Sequence, residues 1–90
     1  MNIEFIGHDV DISNHLKEKL TNKFKKVEKH ANRITRIQVT CSKDGDLFAM
    51  KALVTMPGHH QFFASEVSDD LYVRVDSLVN KLIRQIDDMH

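Results

Sequence analysis

Ninety residues amount to one domain, because two halves of such a chain would each be too short to bury a core. Apolar residues make up 41% and charged residues 29%, and 13 basic side chains balance 13 acidic ones, which excludes a binder of nucleic acid by bulk positive charge but not one with a locally basic face. No apolar run approaches the eighteen or so residues of a membrane span, and the start has no basic-then-apolar leader. The single cysteine, Cys41, excludes an intramolecular disulfide and a multi-cysteine zinc site. The expected setting is the cytoplasm, with no membrane partner.

Asn2 to Ile6 alternates, with Ile3 and Phe5 against Asn2 and Glu4, and predicts a short strand. Gly7 to Ile12 reads as a connection. Ser13 is a candidate N-cap, since its hydroxyl can accept from an unpaired amide of the following turn. From Leu16 the apolar spacing is helical: Leu16, Leu20, Phe24, Val27 and Ala31 fall within an arc of about 80°. Ile34 to Ser42 alternates again, with Ile37, Val39 and Cys41 on one side. Asp44-Gly45 predicts a type I′ hairpin turn. Phe48 to Met56 is the returning strand, with Met50, Ala52, Val54 and Met56 sharing a face. Pro57-Gly58 marks a second turn, and Gln61 to Val67 a fourth strand with Phe62 and Ala64 inward. Ser68-Asp69-Asp70 places a cap and two carboxylates before a second helix, along which Leu71, Val75, Leu78, Leu82 and Ile86 recur. The order β-α-β-β-β-α predicts an α+β fold: a two-layer sandwich over 1–90, a four-stranded sheet with two helices packed on one face.

The zero net charge hides an asymmetry. Residues 14–33 carry seven basic side chains (Lys17, Lys19, Lys23, Lys25, Lys26, Lys29, Arg33) against Glu18 and Glu28, whereas residues 66–90 carry Arg74, Lys81 and Arg84 against six acids. On a wheel with Leu16 at 0°, Lys19, Lys23, Lys25, Lys26 and Lys29 lie between about 180° and 340°, with His15, His30 and Arg33 projecting to the same side. With Leu71 at 0°, Arg74, Lys81 and Arg84 lie between about 220° and 300°. A basic helix face can simply keep a small domain in solution, but such faces mix signs in Glu–Lys pairs four apart, and this one is nearly all basic. Two parallel basic stripes on adjacent helices are expected to form a groove for a phosphate backbone.

Other chemistries find little support. The six histidines form neither H-E-x-x-H nor H-x-H, and no carboxylate or thiol stands at ligand spacing, so no metal is expected. Asp44-Gly45-Asp46 lacks the twelve-residue pattern of a calcium loop. Cys41 reads as a small core residue. No Gly-rich phosphate loop or nucleophile–base order is present, and no aromatic pair of the kind that reads single-stranded RNA lies on the sheet. No catalysis, cofactor or small-molecule substrate is expected.

Gly7 followed by Val10-Asp11-Ile12-Ser13 resembles the "G-x-x-hydrophobic-x-I-T" opening of the ribosome hibernation factor family, also called sigma-54 modulation proteins. Leu20 to Glu28 is similar to its "K-hydrophobic-x-K-L-E" helix, and Arg33-Ile34 to the start of its second strand. Most specific is the run from Asp70 to Ile86, which follows "D-M-Y-A-A-I-D-x-hydrophobic-hydrophobic-D-K-L-x-R-Q-L" almost position by position. The resemblance covers essentially the whole chain. It implies a protein that binds the small ribosomal subunit and its rRNA in the channel used by messenger and transfer RNA, inhibits translation, and stores idle ribosomes, as dimers formed with a partner factor, while itself a monomer when free. Lys23, Lys26, Arg33, Lys81 and Arg84 match the family's basic positions. Lys19, Lys25, Lys29, His30 and Arg74 complete the expected rRNA-binding set. The chain departs from the family in ending Ile86-Asp87-Asp88-Met89-His90 where a basic tail is usual, and in placing Val73-Arg74 where a small pair is usual. Stopping before any long extension, it is expected to be of the short promoting type. Two alternatives stay open: a protein-interaction module using the open sheet face at Leu53 and Phe63, and a general double-stranded RNA-binding domain.

Overall fold

The computed structural model describes residues 2–31 and 33–89. Its elements are β1 (Ile3–His8), α1 (Asn14–His30), β2 (Arg36–Asp44), β3 (Leu47–Met56), β4 (His60–Ser68), a 3-10 turn (Leu71–Arg74) and α2 (Val75–Asp88). The strands form one sheet in the order β1-β2-β3-β4. β1 runs parallel to β2, a pairing no hairpin can make, so α1 serves as the crossover between them. The β2–β3 and β3–β4 pairs are antiparallel.

Leu20, Phe24 and Val27 of α1, and Val75, Leu78, Leu82 and Ile86 of α2, are fully buried in one cluster with Ile37, Val39, Met50, Ala52 and Val54 of the sheet. Each of these side chains larger than alanine contributes about 1.5–3 kcal/mol on leaving water. The sandwich expected from periodicity is therefore the one observed, with both helices on the apolar face. Cys41 belongs to this cluster at 1% exposure, and burial pushes its thiol up to about 11, leaving almost no thiolate to act as a nucleophile near neutral pH.

The element boundaries differ from the sequence reading for local reasons. Ser13 caps α1 as expected, its Oγ accepting from the Leu16 amide at 3.1 Å. β1 runs on through Gly7 and His8, which pair with Cys41 and Ser42. Gly7 can remain in the strand while the chain folds back over it, because a Cβ there would sit 2.2 Å from the Val10 carbonyl oxygen. The hairpin turn is shifted by one residue. Asp44 pairs with Leu47, so Gly45 and Asp46 are the central residues, and of these only Gly45 has a positive φ, 61°. That is the pattern of a type II′ turn rather than the type I′ expected. The second helix begins later than its apolar repeat: Asp70 Oδ1 accepts from the Tyr72 amide at 3.1 Å and caps the 3-10 turn, and α2 starts only at Val75.

Gly7→Ala is expected to lower stability by about 1–3 kcal/mol, since the added methyl forces the Val10 backbone away. Urea unfolding reads the loss, and a change under about 0.5 kcal/mol would show that the backbone yields freely. Cys41 should resist iodoacetamide at pH 8 while the chain is folded and react quantitatively in denaturant, as followed by mass spectrometry.

Candidate nucleic-acid interface

Helix α1 turns its apolar arc to the sheet and so leaves its lysines on the outside. Lys25, Lys26 and Lys29, with Arg33 just beyond the helix, are exposed, and among the described residues none of the four makes an ion pair. Lys29 and His30 stand in the last turn, where positive charge is favoured by the helix carbonyl end. Lys17 is set apart: its ammonium lies 5.9 Å from the Phe5 ring centroid, over β1 rather than beside α2.

Lys23, His30 and Lys19 are committed to α2 and the 3-10 turn before it. Lys23 Nζ lies 3.0 Å from Asp76 Oδ1, and His30 Nδ1 lies 2.9 Å from Asp87 Oδ1. Lys19 Nζ donates to the Tyr72 carbonyl at 2.8 Å and sits 4.0 Å from the Tyr72 ring centroid, while the His15 ring stacks on Tyr72 at 4.6 Å and 1°. The Lys23 hydrogen bond is the main reason the Asp76 carboxyl is held below its usual range, with Lys19 and Lys26 adding to it. The flank of α2 that meets α1 thus presents Asp76 and Asp87. This corrects the expectation of two basic stripes facing across a groove: one wall is basic and the other supplies acids that pair with it.

Lys81 is displaced from its expected role for the same reason. It points to the sheet edge, where it pairs with Glu66 and donates to the Ser65 carbonyl at 3.0 Å. Ser77 and Gln85, one turn to either side, face the same strand: Ser77 Oγ donates to Glu66 Oε2 at 3.1 Å, and Gln85 accepts from the Phe63 amide at 3.3 Å and donates to the Phe63 carbonyl at 2.6 Å. Arg74 and Arg84 are exposed on the second helical element, and among the described residues neither is paired. The expected set therefore divides. Lys25, Lys26, Lys29, Arg33, Arg74 and Arg84 are open to solvent; Lys19, Lys23, His30 and Lys81 are engaged within the protein. Sequence reasoning passed over Asp76, Asp87, Tyr72 and Gln85 as partners. The wheel carried one trace of Asp76, which lies on a flank of α2 away from its basic residues.

On the opposite side of the sheet, Glu4, Gln38, Leu53 and Phe63 form a row across all four strands. Glu4 accepts from Arg36 and from Gln38, and these hydrogen bonds, Gln38's foremost, hold its carboxyl low. Phe63 is 52% exposed, and Leu53 is half-buried.

The family described as Sigma 54 modulation protein / S30EA ribosomal protein matches residues 3–90. The chain is 31% identical, over 97 aligned residues, to a ribosome hibernation promoting factor of Acinetobacter guillouiae, covering 97% of this chain and 85% of that one. A ribosomal subunit interface protein from Coxiella burnetii superposes with a TM-score of 0.89 at 30% identity, covering 99% and 97% of the two chains. The N-terminal domain of Protein Y from Thermus thermophilus shares the fold over both full chains, with a TM-score of 0.86 at 23% identity.

Tyr72 joins the 3-10 turn to α1 through its ring and its main chain. Tyr72→Ala should therefore lower stability by about 1–3 kcal/mol through the lost stack and cation–π contact, while Tyr72→Phe should leave the urea midpoint unchanged. A loss in the Phe variant would place the contribution in the hydroxyl.

Proposed function

The chain belongs to the sigma 54 modulation protein / S30EA ribosomal protein family, and we propose that it is a hibernation factor that binds the small ribosomal subunit through the outer face of α1. The observation that carries this reading is the run of exposed cations Lys25, Lys26 and Lys29 on α1 and Arg33 just beyond it, unpaired among the described residues, in a chain with no net charge. Such a face meets phosphates by releasing their counterions. Arg74 and Arg84 extend the cationic surface onto the second helical element. Bound to subunit rRNA in the path of messenger and transfer RNA, the protein excludes both by its bulk; no bond is made or broken. Storage of the silenced ribosomes as dimers with a partner factor, a cytoplasmic location and a monomeric free state complete the reading. Its support is the likeness to hibernation promoting factors and to a ribosomal subunit interface protein. Lys23 and Lys81 have a different standing from the one their sequence positions imply. Reversing Lys81 would set a second carboxylate against Glu66, whose own side chain is 9% exposed, and would test the fold before it tested binding.

Phe63, exposed beside Leu53 on the open sheet face, favours one other reading, a module that docks a protein partner there. Co-sedimentation with purified small subunits, in the presence of competing duplex RNA, separates the two. Lys26→Glu with Lys29→Glu should weaken subunit binding more than about tenfold, and wild-type affinity should fall steeply with salt. Both substitutions are on solvent-exposed positions and should shift stability by less than about 0.5 kcal/mol. Lys51→Glu, on the open sheet face between Thr40 and Ser65, should bind as wild type. Equal damage from Lys51→Glu would move the contact to the sheet, and displacement by duplex RNA would leave a general RNA binder.

A further inference from the structure

Among the described residues, Lys23 is the one lysine of α1 whose ammonium is held by a carboxylate. Its partner Asp76 stands in the first turn of α2, with its side chain 57% exposed, and feels Lys19 and Lys26 as well as Lys23. With His15, Glu18, Lys19, Asn22, Lys23 and Tyr72, it borders a polar cleft of about 410 Å³ between the two helical elements, in which two lysines stand against two carboxylates. A phosphate approaching Lys23 must therefore displace a carboxylate already bound there. An exposed ion pair of this kind is weak, so a phosphate fixed over the cleft by other contacts can break it. A polyanion lying loosely across the outside of α1 exchanges one anion for another and gains little by doing so.

Resting on the reading of α1 as an RNA-binding face, we propose that Asp76 is a specificity residue: it withholds Lys23 from polyanions in general and yields it only to an RNA phosphate seated in the cleft between the helices. The free face formed by Lys25, Lys26, Lys29 and Arg33 then serves any nucleic acid weakly. The withheld lysine is counted only when the shape of the ligand brings a phosphate to it. The chain thereby avoids being trapped on bulk cellular RNA without giving up a cation at its intended site.

The test compares wild type, Asp76→Asn, Lys23→Gln and the double variant on two probes, a short RNA duplex of arbitrary sequence and purified small ribosomal subunits, each across a range of salt. Asp76→Asn is nearly isosteric and removes only the charge. On the duplex it is expected to bind about 3- to 10-fold more tightly at low salt, with a log affinity against log salt slope steeper by about one, the signature of one added phosphate contact. On subunits the slope should stay as in wild type, because Lys23 already meets a phosphate there. In the Lys23→Gln background, Asp76→Asn should no longer change the duplex slope, which separates release of the lysine from the mere loss of a repulsive charge. An unchanged duplex slope in Asp76→Asn, or equal steepening on both probes, overturns the proposal. Wild-type protein that does not bind subunits at all removes the reading of function instead, and the duplex slopes still decide whether Asp76 withholds Lys23.

Discussion

The apolar face of the sheet, carried by Ile37, Val39, Met50, Ala52, Val54 and Phe62, is too wide for one helix to cover. Four strands about 4.8 Å apart span about 14 Å between their outer axes, more than the roughly 10–12 Å diameter of a helix with its side chains. Two helices must lie side by side on that face, and each then turns one flank to the other. The polar residues on those flanks have no choice of neighbour. Lys23 meets Asp76 and His30 meets Asp87 because covering the core brings the helices together. The lysines of α1 left without an ion pair among the described residues include Lys25, Lys26 and Lys29, which are exposed on its outer side.

This geometry explains what could and could not be read from the sequence. Helical spacing separates inward from outward, so Leu16, Leu20, Phe24 and Val27 were legible as core, and Lys25 and Lys29 as solvent-facing. Strand alternation likewise placed Val39, Cys41, Ala52 and Val54. Spacing alone does not separate left from right. Which flank of α2 meets α1 and which meets β4 depends on strand order, a long-range property, and on that choice rests whether Asp76 or Lys81 borders α1. Both basic stripes could be drawn on wheels, but their facing one another could not. The turns failed more locally. Asp44-Gly45 is a sound turn signal, yet pairing of Asp44 with Leu47 moves the tight positions one residue along. The Asp70 carboxylate spends its capping capacity on a 3-10 turn before α2 begins.

The second flank of α2 has its own task. Ser77, Lys81 and Gln85 recur once per turn and fasten the helix to β4, Lys81 and Gln85 to the outward main-chain groups of Ser65 and Phe63. A strand at the end of a sheet would otherwise offer these groups to another chain. The lysine that family resemblance marks as basic is, in this structure, also part of the protection of that strand. Its position therefore serves packing even where its charge is neutralised.

The balance of thirteen cations and thirteen anions has a consequence for how such a molecule travels. With no net monopole, it feels no long-range pull toward a polyanion, and at physiological ionic strength fields fade over about 8 Å. Its charges are instead separated, six lysines against two glutamates on α1 and most of the balancing acids in the strands, turns and the segments flanking α2, so the chain is an electric dipole. Near a phosphate-rich surface the first effect of the field is a torque rather than an attraction, turning α1 toward the surface before contact is made. Orientation precedes capture, and an encounter that begins with the wrong face forward is short.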